Sequence, residues 1–407
     1  MTQTQPTPHP LNINALARGI QPSATLAIAA RAGELAAAGR KIYNFSAGQP
    51  DFAPPAAVAR TVTERLVDAP VGYAPVPGIP ALRDAVAAEL SEFHGIPITR
   101  NQVVVSCGAK HSLANLFLVT LSPGDEVVIG APYWVSYPEM VALAGGTAKI
   151  VECPRSQRYK LTPAQLREAV GPKTRFLVLN SPGNPTGVAY SGAELRALAQ
   201  VLADHAPQAW ILSDDIYRKL TYGGEGQASI VRSCKGIAGI EDQIVLVDGV
   251  SKSHAMTGWR IGFLVAPEPV AKAVTAIQGQ MTSGASTPAQ WAALTAVTDP
   301  QANAAVAEMG ERFAERRLVM IAGLRAAGVE LVEPDGAFYV FPDFSALCGE
   351  GKRFADDLAL ASYLLEDKGL ATVPGTAFGA PGHLRLSFAC SREDIEVGTD
   401  LLRQALA

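Results

Sequence analysis

The stretch 243–266, QIVLVDGVSKSHAMTGWRIGFLVA, holds two apolar runs, QIVLVD (243–248) and IGFLVA (261–266), on either side of a polar turn containing Ser251, Lys252 and Arg260. Short runs that are apolar throughout read as strands buried on both faces. Four more stand upstream: VVVS (103–106), EVVIG (126–130), RFLVLN (175–180) and AWILS (209–213). Helix signals lie between them. Ser191 and Glu194 form a capping box ahead of LRALAQVLADH, and Thr162-Pro163 opens AQLREAV. Strands alternating with helices predict βαβ units and a mainly parallel sheet. Lys252 then sits just past the carboxyl end of a strand, where open α/β sheets bind ligands.

The pattern changes near residue 300. A long charged helix (301–327) is followed by short strands at VELVE (329–333) and AFYVF (337–341), a helix near 355–368 and a strand at LRLSF (384–388). The segment 11–50 is Ala-rich and helical, with an extended finish at KIYNFSAGQPDF (41–52). The expected division is a disordered tail at 1–10, an arm and part of a small domain at 11–55, a large domain at 56–300 and a small domain at 301–407.

Composition bounds the function. With 48% hydrophobic and 18% charged residues over 407 positions, the chain reads as globular, and its net charge of -4 gives no basic field to hold nucleic acid. Cys107, Cys153, Cys234, Cys348 and Cys390 form no C-x-x-C pair, which suits a reducing compartment. No apolar run approaches the roughly 20 residues of a membrane helix, and the first residues resemble no leader peptide, so a soluble cytoplasmic enzyme is expected. H-E-x-x-H, G-x-x-x-x-G-K-[ST] and G-x-S-x-G are absent, and no metal is expected.

A lysine desolvated beside another cation loses its proton readily and can form a Schiff base with an aldehyde. Judged alone, Lys252 reads more readily as a solvated loop lysine. Three other segments decide the matter. In SCGAKHS (106–112), Gly108 and Ala109 offer backbone N–H groups where a strand turns into a helix, a setting that favours phosphate. In LNSPGNPTG (179–187), two prolines and two glycines hold Asn184 at a strand end. SDDIY (213–217) supplies Asp214 and Tyr217, with Asp215 read as structural or solvated. A carboxylate against a pyridine nitrogen keeps the ring protonated and able to accept electrons. His111 and His254 read as packing or hydrogen-bonding residues.

With SAGQPDF (46–52), GYAPVPGIPALRDAV (72–86), PYWVSYPEM (132–140), GAFYVF (336–341) and HLRLSF (383–388), these motifs make the chain, from about residue 18 onward, resemble a class I aminotransferase of the fold-type I pyridoxal-phosphate enzymes. The resemblance implies an α/β fold with a mostly parallel central sheet between helices, plus a smaller α/β domain. It implies pyridoxal 5′-phosphate bound through Lys252, which moves the proton between the substrate α-carbon and the cofactor. Trp134 would stack on the ring; Asn184 and Tyr217 would hydrogen-bond its oxygen. Gly108, Ala109, Ser251 and Arg260 would hold the phosphate, with Lys110 beside them. Tyr73 would reach the cofactor of a second subunit, which implies a homodimer. Arg385 and the backbone of Gly48 would take the substrate α-carboxylate.

QPSAT (21–25) and GAK (108–110) are similar to the aspartate-using subgroup. There Lys110, Ser23 and Thr25 would contact the distal carboxylate of L-aspartate or of 2-oxoglutarate. Gln21 stands where members that also use prephenate carry lysine, so prephenate is not expected. Two rivals share the cofactor motifs: an aromatic or broad-specificity aminotransferase, and a cysteine-sulfur lyase. A regulator's sensor domain is a third, but only about 20 residues precede the first motif, too few for an ordinary DNA-binding domain.

Overall fold

The structure, a computed structural model, describes residues 13–20, 24–68, 70–223 and 226–407. The tail expected at 1–10 and the positions Gln21 and Ser23 lie outside the described residues. Twelve strands form among those described. They are β1 (Tyr43–Asn44), β2 (Val103–Ser106), β3 (Glu126–Ala131), β4 (Thr147–Glu152), β5 (Thr174–Asn180), β6 (Trp210–Asp214), β7 (Ile244–Gly249), β8 (Gly262–Val265), β9 (Tyr339–Val340), β10 (Leu370–Ala371), β11 (Val373–Pro374) and β12 (Leu384–Ser387).

Seven of them make one sheet in the order β2-β8-β7-β6-β5-β3-β4. Only β8 runs antiparallel to its neighbours. The link from β7 to β8 is too short for a crossover helix, and it carries Lys252 and Arg260 instead. Successive side chains point to opposite faces, and both faces are dry. Leu177, Ile211 and Leu246 enter one core, beneath the helices Pro80–His94, Gly192–His205 and Thr287–Thr298. Val178, Leu212 and Val245 enter another, beneath Ala109–Thr120, Ser136–Leu143 and Glu268–Thr282. Burial on both sides is the reason the strands are continuously apolar.

A third core gathers around the helices Pro300–Ala326, Asp357–Lys368 and Arg392–Leu406 and a three-stranded antiparallel sheet, β11-β12-β9. β1 pairs in parallel with β10, Tyr43 opposite Leu370, which fastens the N-terminal segment to this core. Ile216, Tyr217 and Leu220, just after β6, pack into it as well.

Three strand expectations change. β4 was not among the expected strands. It lies at a sheet edge with no side chain fully buried, and Thr147, Lys149 and Glu152 interrupt its apolar residues, so it forms no apolar run. VELVE is not a strand: it makes a single bridge, Glu330 to Asp343, and its acids are drawn into ion pairs, Glu330 with Arg155 and Glu333 with Arg317 and Arg325. AFYVF keeps only Tyr339–Val340, because Ala337 takes a positive φ of 56° and Pro342 follows Phe341.

Candidate active site

β2, β3, β5, β6 and β7 all end at the same edge of the sheet, facing the third core across a cavity of about 540 Å³. Lys252 stands on the one-turn helix Val250–Ser253 that follows β7, and its Nζ donates to the carbonyl of Gly48 at 2.5 Å. Burial, reinforced by the charges of Arg385 and Arg260, pushes its pKa down to about 8. An amine so placed gives up its proton more readily than a free lysine.

Asp214 is the last residue of β6 and is buried. One carboxylate oxygen accepts the phenol of Tyr137 at 2.6 Å, and the other accepts the N–H of Ile216 at 3.3 Å. Burial raises its pKa to about 6 despite those donors. Such a carboxylate is one that a cationic ring nitrogen would stabilise in its charged form.

The turn after β5 is organised by Asn180. Its amide donates to the Asp214 carbonyl at 2.9 Å, and its carbonyl accepts the N–H of Asn184 at 2.9 Å. Asn184 in turn accepts Arg385 Nη1 at 3.1 Å. Arg385, on β12 and 2% exposed, gives Nη2 to the Ser46 carbonyl at 2.8 Å and lies 4.5 Å from the Tyr339 ring centroid. Its Nε is buried with no hydrogen-bond partner among the described residues. Burial lowers its pKa. A guanidinium held this firmly with one donor unsatisfied has a carboxylate as its natural complement.

The phosphate turn is a cradle closed by glycines. Gly108, with φ 88°, begins the helix Ala109–Thr120, and a Cβ there would strike the Arg260 guanidinium. A Cβ on Gly262 would run into the backbone of Ala109. Arg260, itself at φ 57°, donates to the Thr257 carbonyl at 3.0 Å. Its charge therefore lies over a helix N-terminus, beside the buried Ser251, an arrangement that binds anions.

Trp134 and Tyr137 meet edge to face at 5.3 Å and 87°. The Lys110 ammonium lies 4.9 Å from the centre of the Trp134 ring, exposed at the cavity mouth, and burial of its stem together with the charge of Arg260 lowers its pKa. Thr25 lines the same mouth. Tyr217 is buried, with its hydroxyl 3.1 Å from that of Tyr339. Burial and that second phenol hold its pKa well above the ordinary tyrosine value.

Gly48 lines the cavity and turns its carbonyl to Lys252; a carboxylate would be met by its N–H. Tyr73, expected to serve a second subunit's site, does not line this cavity and is 95% exposed. Asp215, read as structural or solvated, is buried, accepting Ser213 Oγ and Gln227 Nε2, both at 2.8 Å. His254 is a buried hydrogen-bonding residue, 2.8 Å from Ser253 Oγ, and burial drives its pKa down to about 3. His111 is half-buried and takes the N–H of Cys107 at 3.3 Å.

Sequence reasoning also missed Tyr137, Asn180, Tyr339 and Ser46, all of which line the cavity. Each lies within a quoted motif. Tyr137 follows Trp134 by three positions, and its N–H donates to the Trp134 carbonyl at 3.0 Å where the chain enters the helix Ser136–Leu143.

Lys252, the buried Asp214 carboxylate, the anion cradle at Gly108 and Arg260 and the Trp134 wall together fit pyridoxal 5′-phosphate, an aldehyde carrying a basic ring nitrogen and a phosphate. Comparison with known proteins agrees. Residues 40–402 match the family model "Aminotransferase class I and II". The chain is 43% identical over 388 residues to a probable aspartate/prephenate aminotransferase of Rhizobium leguminosarum bv. phaseoli, covering 94% of this chain and 95% of the relative. It is 40% identical to an aspartate aminotransferase of Geobacillus stearothermophilus, over 95% of this chain and 96% of that one. The solved aspartate aminotransferase from Thermus thermophilus with maleate superposes with a TM-score of 0.90 at 38% identity, covering 97% of this chain and 99% of the other. By site geometry, fold and sequence alike, the chain belongs to the class I and II aminotransferases.

Proposed function

We propose that this chain transfers the amino group of L-aspartate to 2-oxoglutarate, giving oxaloacetate and L-glutamate in two half-reactions at one site, with pyridoxal 5′-phosphate as cofactor. The observation that carries the substrate is a pair of cations in one cavity, Arg385 with its unpartnered Nε and Lys110 at the mouth. A dicarboxylic amino acid brings two carboxylates, and one left buried and unpaired costs several kcal/mol. The relatives from Rhizobium and Geobacillus carry aspartate in their names, and the Thermus structure was solved with maleate, a dicarboxylate. Gln21, on which the expectation against prephenate rests, lies outside the described residues.

Pyridoxal phosphate, when bound, supplies an electron sink for the bond broken at the substrate α-carbon. The protein does the rest. Arg260, Ser251 and the N–H groups at Gly108 and Ala109 hold the phosphate. Asp214, steadied by Tyr137, holds the ring nitrogen, and Trp134 covers a ring face. Asn184 and Tyr217 would hydrogen-bond the ring oxygen. Arg385 grips the α-carboxylate and Lys110 the distal one, with Thr25 beside it. Lys252 Nζ, desolvated and flanked by cations, takes the proton from the α-carbon.

The working unit is a homodimer. Tyr73 is 95% exposed, and Leu66, Val67 and Val71 nearby in sequence are exposed as well. An apolar patch of this kind is covered by a second copy, whose cofactor phosphate Tyr73 then reaches.

The test is a panel of single amino acids mixed with the cofactor-loaded enzyme, with the loss of its visible absorbance followed in time. Aspartate and glutamate should react fastest. Lys110→Met should slow both by about 10- to 100-fold at low concentration, as expected for a lost charge pair, while leaving alanine unaffected. A preference for phenylalanine, or ammonia and pyruvate formed from cysteine with no keto acid present, would overturn the assignment.

A further inference from the structure

Tyr73 projects into solvent from a segment that is itself pinned down. At Gly72, beside Tyr73, the carbonyl accepts Thr287 Oγ1 at 2.8 Å. Further along, the carbonyl of Val76 accepts Gln278 Nε2 at 2.8 Å, the carbonyl of Pro77 accepts the N–H of Val105 at 2.9 Å, and the N–H of Ile79 donates to Gln290 Oε1 at 2.7 Å. Gly78, at φ 109°, leaves no room for a Cβ against Val105. Four tethers over eight residues are unusual beneath an aromatic side chain that packs on nothing in its own subunit.

Gln278 is central among them. It is 0% exposed, and its amide nitrogen donates a second bond to the Val105 carbonyl at 2.8 Å, while its oxygen accepts Asn115 Nδ2 at 3.2 Å. Val105 belongs to β2, the strand that runs into the phosphate turn, and Asn115 to the helix that starts from that turn. Gln290, likewise 0% exposed, spends its own amide on the Ala285 carbonyl at 2.8 Å. One buried amide thus joins the loop beneath Tyr73 to both elements that frame this subunit's phosphate cradle. A contact group held rigid before its partner arrives loses little entropy on binding.

We propose that Gln278, seconded by Gln290, is a positioning residue for cofactor binding across the dimer, locking the 72–79 segment to the phosphate turn of its own subunit so that Tyr73 is presented to the cofactor of the other. This rests on the reading above that Tyr73 reaches the partner's cofactor phosphate. Neither glutamine touches cofactor or substrate; both act through the loop.

The experiment measures the equilibrium dissociation constant of pyridoxal phosphate from the full-length protein by absorbance titration, for Tyr73→Phe, Gln278→Met and the double variant. Tyr73→Phe is expected to weaken binding about tenfold and Gln278→Met by a similar factor. The double variant should lie within about twofold of the weaker single one, because a released loop no longer delivers Tyr73. Losses that multiply, to about 100-fold, would mean that Gln278 acts only on local packing and would overturn the proposal. So would Gln278→Met binding like the wild type while Tyr73→Phe is weakened. Wild-type binding by Tyr73→Phe would instead overturn the inter-subunit contact, and this proposal with it. If Gln278→Met does not fold, Gln290→Met, which frees only the Ile79 end, must show the same non-additivity with Tyr73→Phe.

Discussion

Two adjacent aspartates, Asp214 and Asp215, end up with different surroundings because successive residues of a strand point to opposite faces. Asp214 enters the cavity; Asp215 turns to the other side, where His94 Nε2 lies 3.8 Å from its second oxygen. Burial, with a contribution from Asp248, raises the pKa of Asp215 to about 7, against an unfolded value near 3.8. The folded state then holds a proton that the unfolded chain has released. The stability this contributes is fully present below about pH 3.8 and is lost as pH rises through about 7. Asp215→Asn mimics the protonated form: its oxygen still accepts from Ser213 and Gln227, and its amide faces His94. In the cofactor-free protein its melting temperature should match the wild type near pH 4 and exceed it by about 2–4 °C at pH 8. A difference independent of pH would remove the buried-carboxylate account. Side chains such as these were legible in sequence by type and by motif. Their protonation was not, since it depends on neighbours such as Asp248 and Tyr137 brought in from other elements.

At the scale of elements, the site is an edge where strands stop and short turns carry the chemistry. The closest fit lies between the start of β8 and the helix Ala109–Thr120, where Gly262 meets the backbone of Ala109. The neighbour is backbone, not a flexible side chain, so it cannot yield. Gly262→Ala should cost about 1–3 kcal/mol in urea unfolding and weaken pyridoxal phosphate more than pyridoxal, which lacks the phosphate. Equal weakening of both would argue that the contact is structural only. Periodicity located β2, β3, β5, β6, β7 and β8, because burial on both faces makes them continuously apolar. It missed β4, whose partly exposed side chains include Thr147, Lys149 and Glu152, and it read a strand in VELVE, whose apolar residues serve a segment held by ion pairs.

At the scale of the whole molecule, the cavity is assembled from segments far apart in the chain: Arg385 reaches Ser46 across 339 positions, and Lys252 reaches Gly48 across 204. The N-terminal segment is therefore a wall of the site, fastened through β1 to β10. No helix among the described residues is long and apolar enough to cross a membrane. The exposed apolar surface is instead assigned to a second copy. Val67, 81% exposed on the helix Ala56–Asp68, tests this: Val67→Asp should weaken self-association at least about tenfold in sedimentation, since it would bury an unpaired charge. An unchanged sedimentation profile would place the interface elsewhere.

The sequence by itself determined the α/β class, the strand ends that carry the site, and Lys252, Asp214, Asn184 and Arg260 as groups gathered there, because turn chemistry and strand patterning are local properties; Arg385 was legible only through the resemblance, since alone it is one charge in a strand. Only the tertiary structure decided that Tyr137 holds Asp214, that Asn180 links two strand ends, that Gly48 offers a carbonyl, and that Gln278 joins the Tyr73 loop to the phosphate turn. These are long-range hydrogen bonds of buried polar groups. Their partners are set by how the strands order themselves and how the helices pack, which no local window of sequence contains.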